Sequence, residues 1–273
     1  MTRYALSTAT PVLSRPDGTV QVGWHPRRAV VVHPPAGVSA SVLTELLCAL
    51  QNAASVQQLH QLAAGHGIAT AVVTGLLTHL MDRGVVTADA ALDDRSVSVR
   101  LHGGGPLTDL LTASLRCSNV RISHSTRTHA SSARADLVVL TDYLVADPRV
   151  VRDLHDAKVA HLPVRVRDGT GLIGPLVIPG VTSCLRCADM HRSDRDAAWP
   201  AVAAQLCRTV GSADRATLLA TAALALNEID RVVRALRGDH AESPSTLDTT
   251  LEFEVARGRV TECRWSRHPD CAC

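Results

Sequence analysis

Ser96-Val97-Ser98-Val99-Arg100-Leu101 leads into His102-Gly103-Gly104-Gly105-Pro106, and that into Leu107-Thr108-Asp109-Leu110-Leu111-Thr112-Ala113-Ser114-Leu115. A strand, a glycine turn and an apolar helix follow one another. The same alternation continues down the chain. Asn119–Ser123 reads as a second strand. Ala135–Leu140 (A-D-L-V-V-L) is a third, nearly all apolar, as a parallel strand covered on both faces has to be. Val150–Lys158 reads as a helix and Ala160–Val166 as another strand. The alternation predicts an α/β fold, a doubly wound, Rossmann-like domain over residues 96–273.

A strand–glycine–helix turn is where such a domain holds phosphates, because glycines let the backbone approach and the helix N-terminus favours negative charge. Gly103 and Gly105 are the candidates. The pattern here is G-x-G-x-x-T, with Thr108 at the third glycine position, which is weak evidence for a nucleotide. An acid to hold a ribose should end the second strand, yet no Asp or Glu lies between Leu110 and Ala135. Arg127 and Arg134 could instead meet a 2′-phosphate. The plainer reading is that the glycines only make the turn.

Cys184-Leu185-Arg186-Cys187 is a CxxC and Cys271-Ala272-Cys273 a CxC. Zinc takes four tetrahedral ligands, and two short-spaced thiolate pairs each come from one tight turn. Cys184, Cys187, Cys271 and Cys273 are therefore the predicted ligands of one structural Zn2+, tying a C-terminal hairpin (Thr250–Ala256 with Arg259–Trp265) to the domain. A thioredoxin-type redox pair, or His268 or Cys263 in place of one ligand, are the alternatives. Cys48, Cys117 and Cys207 read as small core residues.

Residues 1–90 predict a winged-helix-like unit. Thr19–Trp24 and Ala29–His33 form a hairpin around His25-Pro26-Arg27-Arg28. Helices follow near Ala40–Gln51, from a Ser55/Gln58 capping box, and over Thr70–Asp82 before Gly84. Residues 89–95 are the linker. A DNA reader needs cations along its recognition helix, and Thr70–Asp82 has no Lys or Arg. Peptide capture by strand addition needs a strand edge beside apolar pockets. Val30, Val31 and Val32 could supply the edge, and Val73, Leu76 and Leu77 the pockets, or these side chains are simply core.

The whole chain has 46% hydrophobic and 20% charged residues, only 2% aromatics, and a formal charge of +2. That balance implies neither nucleic acid nor an anionic membrane as partner. No signal-peptide core or spanning run is visible, which predicts a cytoplasmic protein whose eight cysteines form no disulfide framework, so that the close pairs point to metal. His191–Asp196 (H-R-S-D-R-D) reads as a solvated loop entering a helix at Ala197. A long helix over Ala213–Leu236, with Ser212 as its cap, could cover the sheet or pair with a second copy in a homodimer.

Gly174–Pro200 (G-P-L-V-I-P-G-V-T-S-C-L-R-C-A-D-M-H-R-S-D-R-D-A-A-W-P) resembles the E1-like, ThiF-type proteins, above all the cyclodehydratase partner proteins of thiazole/oxazole-modified microcin biosynthesis. His268-Pro269-Asp270-Cys271-Ala272-Cys273 fits the same group, as does the order of domains. In active E1 relatives ATP activates a carboxylate as an acyl-adenylate. Ala135–Tyr143 is similar to the strand whose terminal acid handles magnesium there, which puts Asp142 beside Gly103 and Gly105 in a nucleotide site. Tyr143 stands where the usual Asn would be, and the ribose acid has no match. The resemblance thus implies a vestigial adenylation site, little support for bound ATP, and no independent catalysis. It implies a scaffold that binds the leader peptide of a ribosomal precursor and serves a separate YcaO-type cyclodehydratase. An ATP-dependent adenylyltransferase and a winged-helix DNA-binding regulator are the alternatives.

Overall fold

Ser39 and Ser55 start the first two helices, and the leucines that follow them build the first core. The computed structural model describes residues 2–89, 96–126, 135–238 and 242–273. The chain divides into two units, Met1–Asp93 and Asp94–Cys273. Of the predicted linker 89–95 all but Asp89 lies outside the described residues, as do Arg127 and Arg134.

The first unit runs β1 (Arg3–Ala5), β2 (Val12–Ser14), β3 (Val20–Val22), β4 (Val30–Val32), α1 (Ala40–Gln51), β5 (Ala54–Ser55), α2 (Val56–Ala64), α3 (Thr70–Asp82) and β6 (Thr87–Asp89). The Ser39 hydroxyl accepts from Val42 N at 3.3 Å. Ser55 and Gln58 complete the capping box in both directions. Gly84, at φ 64°, closes α3 in a conformation other residues resist. β3 and β4 pair with Val20 opposite Val32, and β2 adds on the far side of β3. β4 is therefore an edge. The second small sheet, β5-β1-β6, was not legible, since a three-residue strand shows no alternation. Leu43, Leu47, Leu59 and Leu80 fill the core between them.

The second unit runs β7 (Val97–His102), α4 (Pro106–Leu115), β8 (Val120–Ser125), β9 (Leu137–Thr141), α5 (Pro148–Asp156), β10 (Ala160–Arg167), β11 (Thr170–Ile173), α6 (Leu185–Arg195), α7 (Trp199–Leu206), α8 (Arg215–Leu236), β12 (Thr249–Glu254) and β13 (Arg259–Arg264). Its seven strands lie in the order β13-β12-β11-β10-β9-β7-β8. β8, β7, β9 and β10 are parallel, and β11 to β13 extend the sheet antiparallel. This is a mixed α/β, Rossmann-like sheet.

Every residue of β9 is buried, and its period of two sorts them between layers. Leu137 and Val139 pack with Leu107 and Leu111 of α4 and Ile229 and Val232 of α8. Val138 and Leu140 pack on the other face with Val150 and Leu154 of α5 and Leu185 and Cys187 of α6. Buried Glu228 fastens α8 to the segment before β12, accepting from Thr246 N at 3.0 Å and from Arg231 at 2.9 Å.

Four expectations change. α8 is capped by Asp214, which accepts from both Thr217 N and Thr217 Oγ1, and not by Ser212. His191–Arg195 continues α6 rather than forming a loop, because only Leu185, Cys187 and Ala188 need burial and the charges occupy the other faces. β11 was not foreseen. Cys48 and Cys117 are exposed and Cys207 is half-buried, so the apolar spacing around them belongs to their neighbours. No helix among the described residues is long and apolar enough to cross a membrane.

His161, fully buried on β10, donates from Nδ1 to the Val159 carbonyl at 3.0 Å, and burial holds its pKa down at about 4. The folded chain keeps it neutral while the unfolded chain protonates it below its ordinary 6.5, so its contribution is present above pH 6.5 and is lost as pH falls toward 4. The loss amounts to about 3 kcal/mol. In urea unfolding, His161→Phe is expected to show a shallower acid decline than the parent chain over that window.

Candidate functional site

Cys184 is the N-cap of α6, its Sγ accepting from Cys187 N at 3.4 Å, so the CxxC folds over the start of a helix. The Sγ of Cys184 lies 3.6 Å from those of Cys187 and Cys271, and the Sγ of Cys187 lies 3.4 Å from that of Cys273. All four sulfurs are within 4.8 Å of one another. A tetrahedral thiolate site with bonds of about 2.3 Å spaces its sulfurs by about 3.8 Å, so the four predicted ligands fit one metal ion. Burial pushes the Cys184 and Cys271 thiols up. Burial also opposes ionisation of Cys187, but hydrogen bonds from the His268 and Cys184 backbone and from Cys273 bring it to about 7.

The two substitute ligands stay outside this group. Cys263 sits on β13. His268 is buried beside the thiolates, but its Nδ1 accepts from Asp270 N at 3.1 Å and its Nε2–H donates to Asp194 at 2.9 Å. With its ring edge-on to His191, it braces the CxC segment against α6. That role had no signature in the sequence.

The glycine turn is packed against the end of β9. A Cβ on Gly103 would lie 2.3 Å from the Thr141 carbonyl oxygen, and one on Gly105 would lie 2.8 Å from Asp142 Cγ. Asp142 is 1% exposed. Its Oδ1 accepts from Leu107 N at 2.9 Å. Its Oδ2 accepts from Thr108 N at 3.0 Å and from Thr108 Oγ1 at 2.5 Å. Gly105 is the N-cap of α4 and has no side chain, so Asp142 supplies the cap from another strand. The structure thus brings Gly103, Gly105 and Asp142 together, with the acid directed at the helix rather than at open space. Thr108, noted only as a departure from the glycine pattern, is its main partner. At the end of β8, where a ribose acid was sought, His124 bonds the Gly103 carbonyl through Nε2 at 2.9 Å.

In the first unit, a groove of about 380 Å³ lies between the turn after β4 and α3, lined by His33, Pro35, Val72, Gly75, Leu76 and His79 among others. Val73 and Leu77 point into the core, as does Val32, while Val31 is 40% exposed and Val30 is half-buried. The i, i+4 spacing of Ala71, Gly75 and His79 marks the groove face of α3.

No protein-family model and no curated protein matches the chain in sequence. Solved structures do match. A heterocyclase in complex with substrate and cofactor aligns with a TM-score of 0.67 at 16% identity, over 100% of this chain and 39% of that one. The heterocyclase TruD gives 0.66 at 16% identity, over 100% and 42%. The likeness is one of fold. MccB of E. coli, solved with ATP, gives 0.60 at 12% identity over 100% of this chain and 99% of its own. The chain therefore spans about two fifths of the heterocyclases, at 39% and 42%, and the whole length of MccB, at 99%.

Metal analysis of purified protein is expected to find one bound ion per chain, and Cys273→Ser to weaken its retention against a chelator at least about tenfold, with Cys207→Ser unchanged. Asp142→Ala, which strips three hydrogen bonds from a charged cap, is expected to cost about 2–3 kcal/mol in denaturant unfolding, and Asp142→Asn less.

Proposed function

We propose that the protein is an E1-like scaffold of peptide natural-product biosynthesis, which captures the leader peptide of a ribosomal precursor and presents it to a partner YcaO-type cyclodehydratase. The observation that carries this reading is Asp142. Its carboxylate meets the α4 amide groups that would otherwise receive a phosphate, which argues for a scaffold in place of an ATP-consuming site. Heterocyclases are among the folds it matches, and most of their length has no counterpart in these residues.

On this reading residues 1–90 are a winged-helix-like recognition domain and residues 96–273 the E1-like domain. A leader segment adds to the β4 edge through Val30–Val32 and sets side chains into the groove beside α3, with Leu76 at its floor. The metal is one structural zinc: four thiolates suit it and leave no position open for water. Its chemistry there is to hold the CxC segment against α6.

Gly75→Arg is the cleanest probe, because a Cβ there meets nothing within 4 Å and the position lines the groove. Fluorescence anisotropy with labelled leader peptides from precursors encoded nearby is expected to show binding that this variant weakens at least about tenfold. Absence of binding to every such leader, with metal-loaded protein, would sink the proposal.

The second reading is an ATP-dependent adenylyltransferase, favoured by the end-to-end match to MccB, which was solved with ATP. Pyrophosphate exchange separates the two. Exchange abolished by Asp142→Ala in a chain that remains folded establishes the enzyme.

A further inference from the structure

The alternation of β10 puts Leu162, Val164 and Val166 into the core with α4 and α8, so Arg165 projects from the opposite face of the sheet. There it meets a cavity of about 690 Å³ walled by Leu144, Val151, Leu185 and Leu206. Arg165 is half-buried, and a guanidinium at the wall of such a cavity is a ready partner for an anion. The other arginines nearest to it are engaged. Arg167 pairs with Glu252 at 3.2 Å. Arg192 pairs with Asp189 at 2.9 Å and lies over the rings of Trp199 and Trp265, at 5.2 and 4.7 Å. Asp189 also accepts from Trp199 Nε1 at 3.3 Å. The Arg165 guanidinium has no hydrogen bond or ion pair among the described residues, although Asp189 and Glu252 lie near enough to favour its charge. Burial, and then the like charge of Arg192, bring its pKa down to about 10.

We propose that this cavity binds a small apolar monocarboxylate, its head group paired with Arg165 and its body against Val151, Leu185 and Leu206. The volume is that of a small-molecule site. A planar guanidinium matches a carboxylate through two parallel hydrogen bonds. Asp156, Asp168 and Asp189 line the space together with Arg152, Arg167, Arg186 and Arg192, and it is the apolar walls that favour a carboxylate with a hydrocarbon body over a strongly hydrated dianion such as phosphate. The cavity lies wholly within the second unit, so this inference does not depend on leader capture in the first.

The test is calorimetric titration of the full-length, metal-loaded chain with octanoate, 4-phenylbutyrate, octanamide and inorganic phosphate. At least one carboxylate is expected to bind with a Kd below about 1 mM. Arg165→Gln should weaken it at least about tenfold, and Val151→Trp, which fills the cavity but keeps the charge, should do the same. Octanoate should raise the Tm of the parent chain but of neither variant, with metal content equal in all three. Three results would overturn the proposal: no binding by either carboxylate, octanamide or phosphate binding as tightly as octanoate, or Arg165→Gln binding like the parent. Leader anisotropy unchanged in Arg165→Gln keeps this outcome separate from the peptide reading.

Discussion

The Asp142 carboxylate completes the N-terminus of α4 from the neighbouring strand, at the point where β7 and β9 run side by side and their connections diverge to opposite faces of the sheet. Much of the second unit is arranged around that contact. Gly103 and Gly105 lack side chains because the turn is pressed against Thr141 and Asp142. Thr108 replaces a glycine because its hydroxyl is needed by the same carboxylate. Asp142 itself sits at φ 69°, a costly backbone state that three hydrogen bonds offset. An arrangement that in other proteins welcomes an external anion is here satisfied internally.

The cysteine cluster is a second point where distant segments meet. α6 supplies two thiols from its first turn, and His268 locks the other segment by donating to Asp194 on the same helix. The helix therefore lies against the CxC segment through its thiols, through the hydrogen bond from His268 and through the packing of His191. Its next turn carries Asp189 and Arg192 toward the two tryptophans and the Arg165 cavity. One short helix thus borders both a cluster of soft sulfur ligands and the Arg165 cavity, and Cys184, Cys271 and Cys273 reach the wall of that cavity.

The parallel core was readable because each of its strands is long enough to show a pattern. Ala135–Leu140 announced burial on both faces, and Ser55 with Gln58 announced a helix start. The four cysteines were readable from spacing alone. What stayed hidden depends on partners far away in sequence. β1 has three residues, and its place follows from β5 and β6. β11 forms because β10 and β12 flank it. The charged run His191–Arg195 conceals a helix whose apolar face is only three residues wide. Asp142 was found as a residue but not as a cap, since that role requires knowing that β9 ends beside α4.

The outer strands of the large sheet, β8 and β13, both carry charge: Arg121 on one, and Arg259, Glu262 and Arg264 along the other. Another chain that tried to extend this sheet would have to strip water from those groups, so the sheet is protected against self-propagation. β4 has no such guard. It is three consecutive valines at an open border, the composition that aggregation favours, kept to a length too short to template a fibril. A chain that shields its long borders and leaves short ones such as β4 and β2 bare accepts a solubility risk at those places.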